Sequence, residues 1–201
     1  MFYRNRAEQF SIAVPYIQIG LERRERCLYI ADDNSPRAII AALEEAGVDT
    51  SAAISRGALT ITTKHDTYLH CGEFDPQQMI ANLDKEVRQA LAKGYAGLRG
   101  TGEMTWALTL PAALARLNEY ESELEVSFPE KFIGLCQYNE NGFEPAMISD
   151  VLRTHAKVIA RGRLFENPHY ISNLHAAARM EAGAFSRVTL DELINCTAVR
   201  A

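Results

Sequence analysis

Short continuous apolar runs, separated by amphipathic stretches of helix length, constrain this chain more than any other feature of its sequence. Cys27-Leu28-Tyr29-Ile30-Ala31 is such a run, followed at once by the polar turn Asp32-Asp33-Asn34-Ser35. A run without polar alternation belongs to a strand buried on both faces, the usual state of a strand in a parallel sheet. Ala58 to Thr63, Tyr95 to Leu98 and Phe132 to Tyr138 read as further strands. Lys157 to Arg161 and Arg163 to Phe165 read as two short ones around Gly162.

Helices fill the spaces between them. Phe10, Ala13, Val14, Ile17 and Leu21 recur at helical spacing and predict a helix over about residues 7 to 22, bent at Pro15. Ser35-Pro36 and Asp75-Pro76 pair a capping side chain with a first-turn proline, and so predict helices running to about Ala46 and Gly94. Pro111 opens another, carrying Leu114, Leu117 and Leu124 towards Pro129, and Pro145 to His155 is one more. Arg99 to Leu110 reads as a glycine-containing loop. Leu174 to Ala182 and Leu190 to Ile194 are helix-like pieces of the tail. Strand and helix in alternation predict an α/β fold with a mostly parallel sheet covered by helices.

Composition excludes several classes of function. The chain has 201 residues, 47% of them hydrophobic and 23% charged, enough for one substantial core. A net charge of -5 argues against general attraction to nucleic-acid backbones. Four cysteines, Cys27, Cys71, Cys136 and Cys196, are too scattered for a disulfide framework or a zinc ribbon. The start of the chain lacks the apolar core of a signal peptide, and no apolar stretch is long enough to span a bilayer. A cytoplasmic protein without membrane or direct nucleic-acid partner is therefore expected.

Ligands of such sheets lie beyond the carboxyl ends of the strands. Three segments there hold the candidate ligand-binding residues: Asp32 and Asp33; Arg99, Glu103, Thr105 and Trp106; Cys136 and Tyr138. They combine charge, hydroxyls and aromatic walls, the mixture a small-molecule pocket needs. Plainer readings stand beside each: an Arg99–Glu103 ion pair, a core tryptophan at 106, a buried thiol at 136 and a surface tyrosine at 138. His155 reads as a helix-end residue favourable to the dipole. His70-Cys71 near Lys64-His65-Asp66 has no regular ligand spacing, so neither metal nor cofactor is expected. Residues 1–6 contain no glycine and no Lys-Ser/Thr pair, so a phosphate-binding loop is missing before the first helix.

Several of these segments resemble a known family. Glu22 to Asp32, Gly94-Tyr95 with Leu98-Arg99, Thr101-Gly102-Glu103-Met104-Thr105-Trp106-Ala107, Leu135 to Tyr138, and His155 with Val158-Ile159 and Asn167-Pro168-His169-Tyr170 look like the MEDS domain, the methanogen/methylotroph DcmR-type sensory domain. The likeness runs in order over about residues 2 to 170. It implies a non-catalytic sensory domain for a small organic ligand, of the hydrocarbon-derivative class, working with a signalling or DNA-binding partner in a transcriptional or signalling circuit. It also implies a three-layer, RecA-like sandwich with a degenerate nucleotide site, through a distant similarity to KaiC-type ATPases. On that reading residues 1–170 are the sensory domain, beginning inside or just after a first strand at Phe2-Tyr3, and 171–201 a helical tail that could mediate a homodimer. Three other readings stay open: a residual ATP-binding protein using Asp32, Asp33 and Glu103 around Mg²⁺, a pure interaction module, and redox sensing through Cys71 or Cys136.

Overall fold

Side-chain caps mark the start of the first four α-helices of this protein. The computed structural model describes residues 1–70, 72–110, 131–171 and 188–198, with 113, 116, 117, 119–121, 123 and 124 between them. Helix α1 (Arg6–Glu22) is capped by Asn5, whose side chain accepts from the Glu8 amide. Ser35 caps α2 (Pro36–Glu45) through the Ala38 amide, and Asp75 caps α4 (Pro76–Ala92) through the amides of Gln77 and Gln78. The short α3 (Thr50–Ser55), capped by Asp49, has too few turns to show an apolar period and was not expected. Pro15 lies inside α1 without ending it. Helix α5 (Pro145–Thr154) starts on its proline without a side-chain cap, and α6 (Leu190–Ala198) lies in the tail.

Five strands form one parallel sheet in the order β3-β2-β4-β5-β1, where β1 is Phe2–Tyr3, β2 Arg26–Ala31, β3 Leu59–Thr63, β4 Leu98–Glu103 and β5 Phe132–Asn139. Two further strands, β6 (Lys157–Ala160) and β7 (Arg163–Glu166), make an antiparallel hairpin. Alternation along the strands divides the core in two. Cys27, Tyr29 and Ala31 of β2 pack with Ala13 and Ile17 of α1 and Ile39 and Leu43 of α2. Leu28 and Ile30 face the other way, with Met79, Leu83 and Val87 of α4, Trp106, Tyr120, Leu152 of α5 and Leu193 of α6. The result is an all-parallel sheet flanked by helices on both faces, consistent with the three-layer RecA-like sandwich. The expected helix piece at 174–182, Pro111, Leu114 and Pro129 lie outside the described residues.

One strand differs from its expected place. Of the expected Tyr95 to Leu98 only Leu98 belongs to it; β4 occupies Leu98–Glu103, reaching into the first half of the expected loop, and a 3₁₀ turn over Thr105–Thr109 follows. Gly100 and Gly102 caused the displacement, because glycine ordinarily marks a bend or breaks a strand. Here they serve close approach instead. A Cβ on Gly100 would lie 2.8 Å from the Phe132 ring, and one on Gly102 would collide with the Tyr68 hydroxyl.

Gly102→Ala therefore sets two effects against each other. Removing strand glycine favours folding by about 0.5–1 kcal/mol, but overpacking a rigid core costs about 1–3 kcal/mol. Tyr68 is 5% exposed and stacked on Trp106 with ring centroids 4.7 Å apart, so it has little room to give. We expect a net loss of about 1–2 kcal/mol in urea unfolding. Adding Tyr68→Phe, which removes the colliding oxygen, should recover part of it. An alanine variant as stable as the native chain would show that Tyr68 is not pinned.

Candidate functional site

At the carboxyl end of the sheet the structure builds a closed polar network around one carboxylate. Glu103, the last residue of β4, is fully buried and accepts five hydrogen bonds. Its Oε1 takes the Gln9 amide at 3.2 Å, the Tyr29 hydroxyl at 2.9 Å and the Asn34 amide side chain at 2.7 Å. Its Oε2 takes the backbone N–H groups of Asp32 and Asn34 at 2.8 and 2.9 Å. A buried carboxylate needs this many donors, because each unmet lone pair keeps the cost of lost hydration. Gln9 also donates to Gln137, which in turn donates to Thr101, so α1, β2, β4 and β5 are joined through polar side chains.

The sequence candidates are divided by this geometry. Asp32, Asp33, Glu103 and Thr105 do converge: Thr105 donates to Asp33 at 2.8 Å, and Asp32 pairs with Lys64 at 2.5 Å. Arg99 lies near the other end of β4, where its Nε donates to Glu25 at 2.5 Å and its guanidinium sits 4.6 Å from the Tyr16 ring centroid. It makes no pair with Glu103. Burial works against the Arg99 charge, but the Glu25 partner raises the group overall. Trp106, Cys136 and Tyr138 belong to the opposite face of the sheet. Trp106 is fully buried between Tyr68 and Phe74, and its Nε1 has no hydrogen-bond partner among the described residues. The candidates are thus not gathered around a single space.

The connection between β1 and α1 is short. Arg4 and Asn5 alone connect them, and the helix start is used internally, by the Asn5 cap and by Glu8, which accepts from the Arg4 amide at 2.9 Å. One of the amides left free at a helix start, that of Glu8, thus faces the chain's own cap.

On the aromatic face a second carboxylate gathers partners. Glu121 is 4% exposed; the Tyr138 hydroxyl donates to its Oε1 at 2.5 Å, while the Cys136 thiol donates to Oε2 at 3.4 Å and His155 Nε2 lies 3.1 Å from that same oxygen. Burial would push the Glu121 carboxyl up, yet the facing His155 and the donors from His155, Tyr138 and Cys136 hold it below the ordinary range. Burial, with the Glu121 charge behind it, pushes the Cys136 thiol well up. Glu121, Cys136 and His155 form the one group among the described residues whose carboxylate, thiol and imidazole could hold a metal ion.

Sequence reasoning missed Gln9, Asn34, Gln137 and Glu121. Two of these carried a signal. Gln9 lies one turn before Ala13 on the buried stripe of α1, and Glu121 falls between Leu117 and Leu124 at helical spacing. A polar residue on an apolar stripe must find a partner inside.

A cavity of about 350 Å³ opens beneath α4, on the same face as the aromatic cluster but at the β3 edge. Leu28, Thr60, Thr62, His70, Met79 and Leu83 line it, and the Arg26–Glu86 ion pair closes one end. Beside it a narrow gap reaches Tyr68, Tyr120 and Cys136.

Fold and site define a three-layer α/β domain whose sheet end is sealed by its own polar groups. The chain belongs to the family described as the MEthanogen/methylotroph, DcmR Sensory domain, MEDS, whose family model matches residues 1–156. It is similar to the transcriptional repressor DcmR of Methylorubrum extorquens, with 27% identity over 155 residues, 76% of this chain and 56% of that protein. The chain thus spans about half the length of that relative. Family and relative together give the domain a sensory and regulatory role. No helix among the described residues is long and apolar enough to cross a membrane.

Glu103→Gln should expose the dependence of the fold on its network. An amide in place of either oxygen turns a donor against donors that cannot leave. Stability should fall by about 2–4 kcal/mol, read as a lower urea midpoint at unchanged slope. A change under about 0.5 kcal/mol would show that water replaces the lost acceptor easily.

Proposed function

We propose that this domain is a non-catalytic sensor of a small organic molecule, and that the ligand lodges in the cavity beneath α4. The cavity carries the proposal. Its volume of about 350 Å³ lies at the small end of known ligand sites. Leu28, Met79 and Leu83 offer an apolar wall, and the Thr60 and Thr62 hydroxyls offer a few polar contacts. A hydrocarbon derivative with one small polar substituent fits that balance.

A path from this cavity to the sealed end of the sheet supports a switching role. Asp66, Thr67 and His70 wall the cavity, and the same segment holds Lys64, which pairs with Asp32. The Asp32 backbone N–H in turn donates to Glu103. A ligand that repositions the 64–70 segment would load this chain of contacts, and Asp33 and Thr105 beside it. A differential affinity of about 1–3 kcal/mol between two arrangements is enough for a regulatory response. Output would then pass to a signalling or DNA-binding partner, or to a second copy of the domain.

The test is thermal unfolding of the native chain and of Thr62→Phe with a panel of short-chain alcohols, methylated compounds and halogenated alkanes. Phenylalanine suits a strand and fills the cleft. At a hundredfold excess over the dissociation constant, a ligand of the native chain should stabilise it by about 2.7 kcal/mol, and the variant should lose most of that shift while keeping its far-ultraviolet dichroism. An equal shift in both proteins would move the site away from this cavity. No shift with any compound in the panel would overturn the ligand class.

A further inference from the structure

We propose that Glu121, Cys136 and His155 bind one divalent transition-metal ion, with zinc the best match, and leave its fourth coordination position open. Three segments far apart in sequence deliver these side chains: the helical residues around Tyr120, strand β5 and the residue that follows α5. Their donor atoms all lie within 4.8 Å of one another. Two of the separations are 3.1 Å, from His155 Nε2 to Glu121 Oε2, and 3.4 Å, from Cys136 Sγ to that oxygen. Tetrahedral zinc, with bonds of roughly 2.0 Å to nitrogen and oxygen and 2.3 Å to sulfur, sets its donors roughly 3.3–3.6 Å apart. The ion would need only small side-chain movements.

Hydrogen bonds around the imidazole already orient it as a ligand. His155 Nδ1 lies 2.9 Å from the Val151 carbonyl and 2.9 Å from Thr154 Oγ1. The Thr154 hydroxyl itself donates to the Val151 carbonyl, so both neighbours of Nδ1 offer lone pairs. With a metal bound, Nδ1 would donate its hydrogen to the Val151 carbonyl and leave Nε2, which faces Glu121, as the ligand atom. A backbone carbonyl that fixes the tautomer in this way is the usual support of a metal-bound histidine. Tyr138 supports the carboxylate in the same manner, donating to the oxygen Oε1 that the ion would leave free.

Charge favours a divalent ion in this buried place. One thiolate, one carboxylate and a neutral imidazole balance a charge of two, and a neutral assembly carries the smallest desolvation cost. On binding, the metal–sulfur bond replaces the S–H bond of Cys136, and the proton leaves to solvent. A thiol and an imidazole exclude magnesium and calcium, which prefer oxygen throughout. Entry is open on one side, since the His155 side chain is 21% exposed while that of Glu121 is 2% exposed. With three protein ligands, the ion keeps a place for water or an added group, the arrangement of reactive rather than purely structural zinc. The narrow gap bounded by Tyr68, Tyr120 and Cys136 adjoins it.

The full chain, stripped with a chelator and dialysed against micromolar zinc, should retain one equivalent by elemental analysis. Cobalt should replace it and give a sulfur-to-metal charge-transfer band in the near ultraviolet. Cys136→Ser should abolish that band, and His155→Gln should weaken zinc binding more than tenfold. Tyr138→Phe should weaken it about tenfold, as loss of a supporting hydrogen bond does. His155→Gln alters a partly exposed side chain, so it keeps the test decisive if Cys136→Ser does not fold. Failure of the folded native chain to retain zinc would overturn the site. So would retention of one equivalent that neither variant weakens, which would assign the metal to other cysteines. Neither result depends on a small organic ligand being present.

Discussion

Glu103 is the group around which the sheet end of this protein is organised. A carboxylate buried beside four elements can stay there only if every one of them supplies donors, and each does or is tied to a group that does. Gln9 comes from α1, Tyr29 from β2, the Asp32 and Asn34 amides from the turn after β2, and Gln137 reaches the same cluster from β5. The requirement works in both directions. The donors hold the charge, and the charge fixes where the helix, the strands and the turn must stand relative to one another. Networks of this kind specify a unique arrangement more strongly than apolar contact, which tolerates small slides.

The same requirement explains why the domain is closed where related architectures would take a ligand. Beyond the ends of parallel strands there is ordinarily a crevice with free amides and polar side chains. Here the Asp32 and Asn34 amides of the turn after β2 donate to Glu103, one Asp32 oxygen pairs with Lys64, and the Glu8 amide of α1 donates to Asn5. A cavity lies instead on the flank, under α4, where β3 is an edge strand and its Thr60 and Thr62 line the wall. A sensor built this way would couple a flank cavity to a rigid end through the short 64–70 segment.

The two faces of the sheet have different chemical characters, although both are buried. Beneath α1 the polar side chains Thr101, Glu103 and Gln137 form the network, with Arg99 paired to Glu25 further down. Beneath α4 and α5 the surface is aromatic: Tyr68, Phe74, Trp106 and Tyr120 pack on one another, and Tyr138 donates to Glu121. Gly102 lets the Tyr68 ring approach the strand closely, and Gly100 does the same for Phe132. The Glu121 carboxylate, 2% exposed, is shielded from water, so its interactions with the thiol and the imidazole are stronger than on a surface.

Local pattern alone determined much of this protein. The buried run of β2, the capped and proline-started helices α2 and α4, the strand at Phe132 and the hairpin around Gly162 were all legible, because each depends on neighbouring residues and a fixed period. The family likeness rested on strings such as Thr-Gly-Glu-Met-Thr-Trp and held. What the sequence could not show was which polar residues meet. Glu103 and Trp106 are three residues apart, yet they lie on opposite faces of the sheet, while Gln9 and Glu103, 94 residues apart, are hydrogen-bonded. Glu121, Cys136 and His155 likewise come together only through packing. Strand alternation sends near neighbours to opposite sides, and parallel pairing brings distant segments side by side, so proximity in the chain says little about proximity in a site.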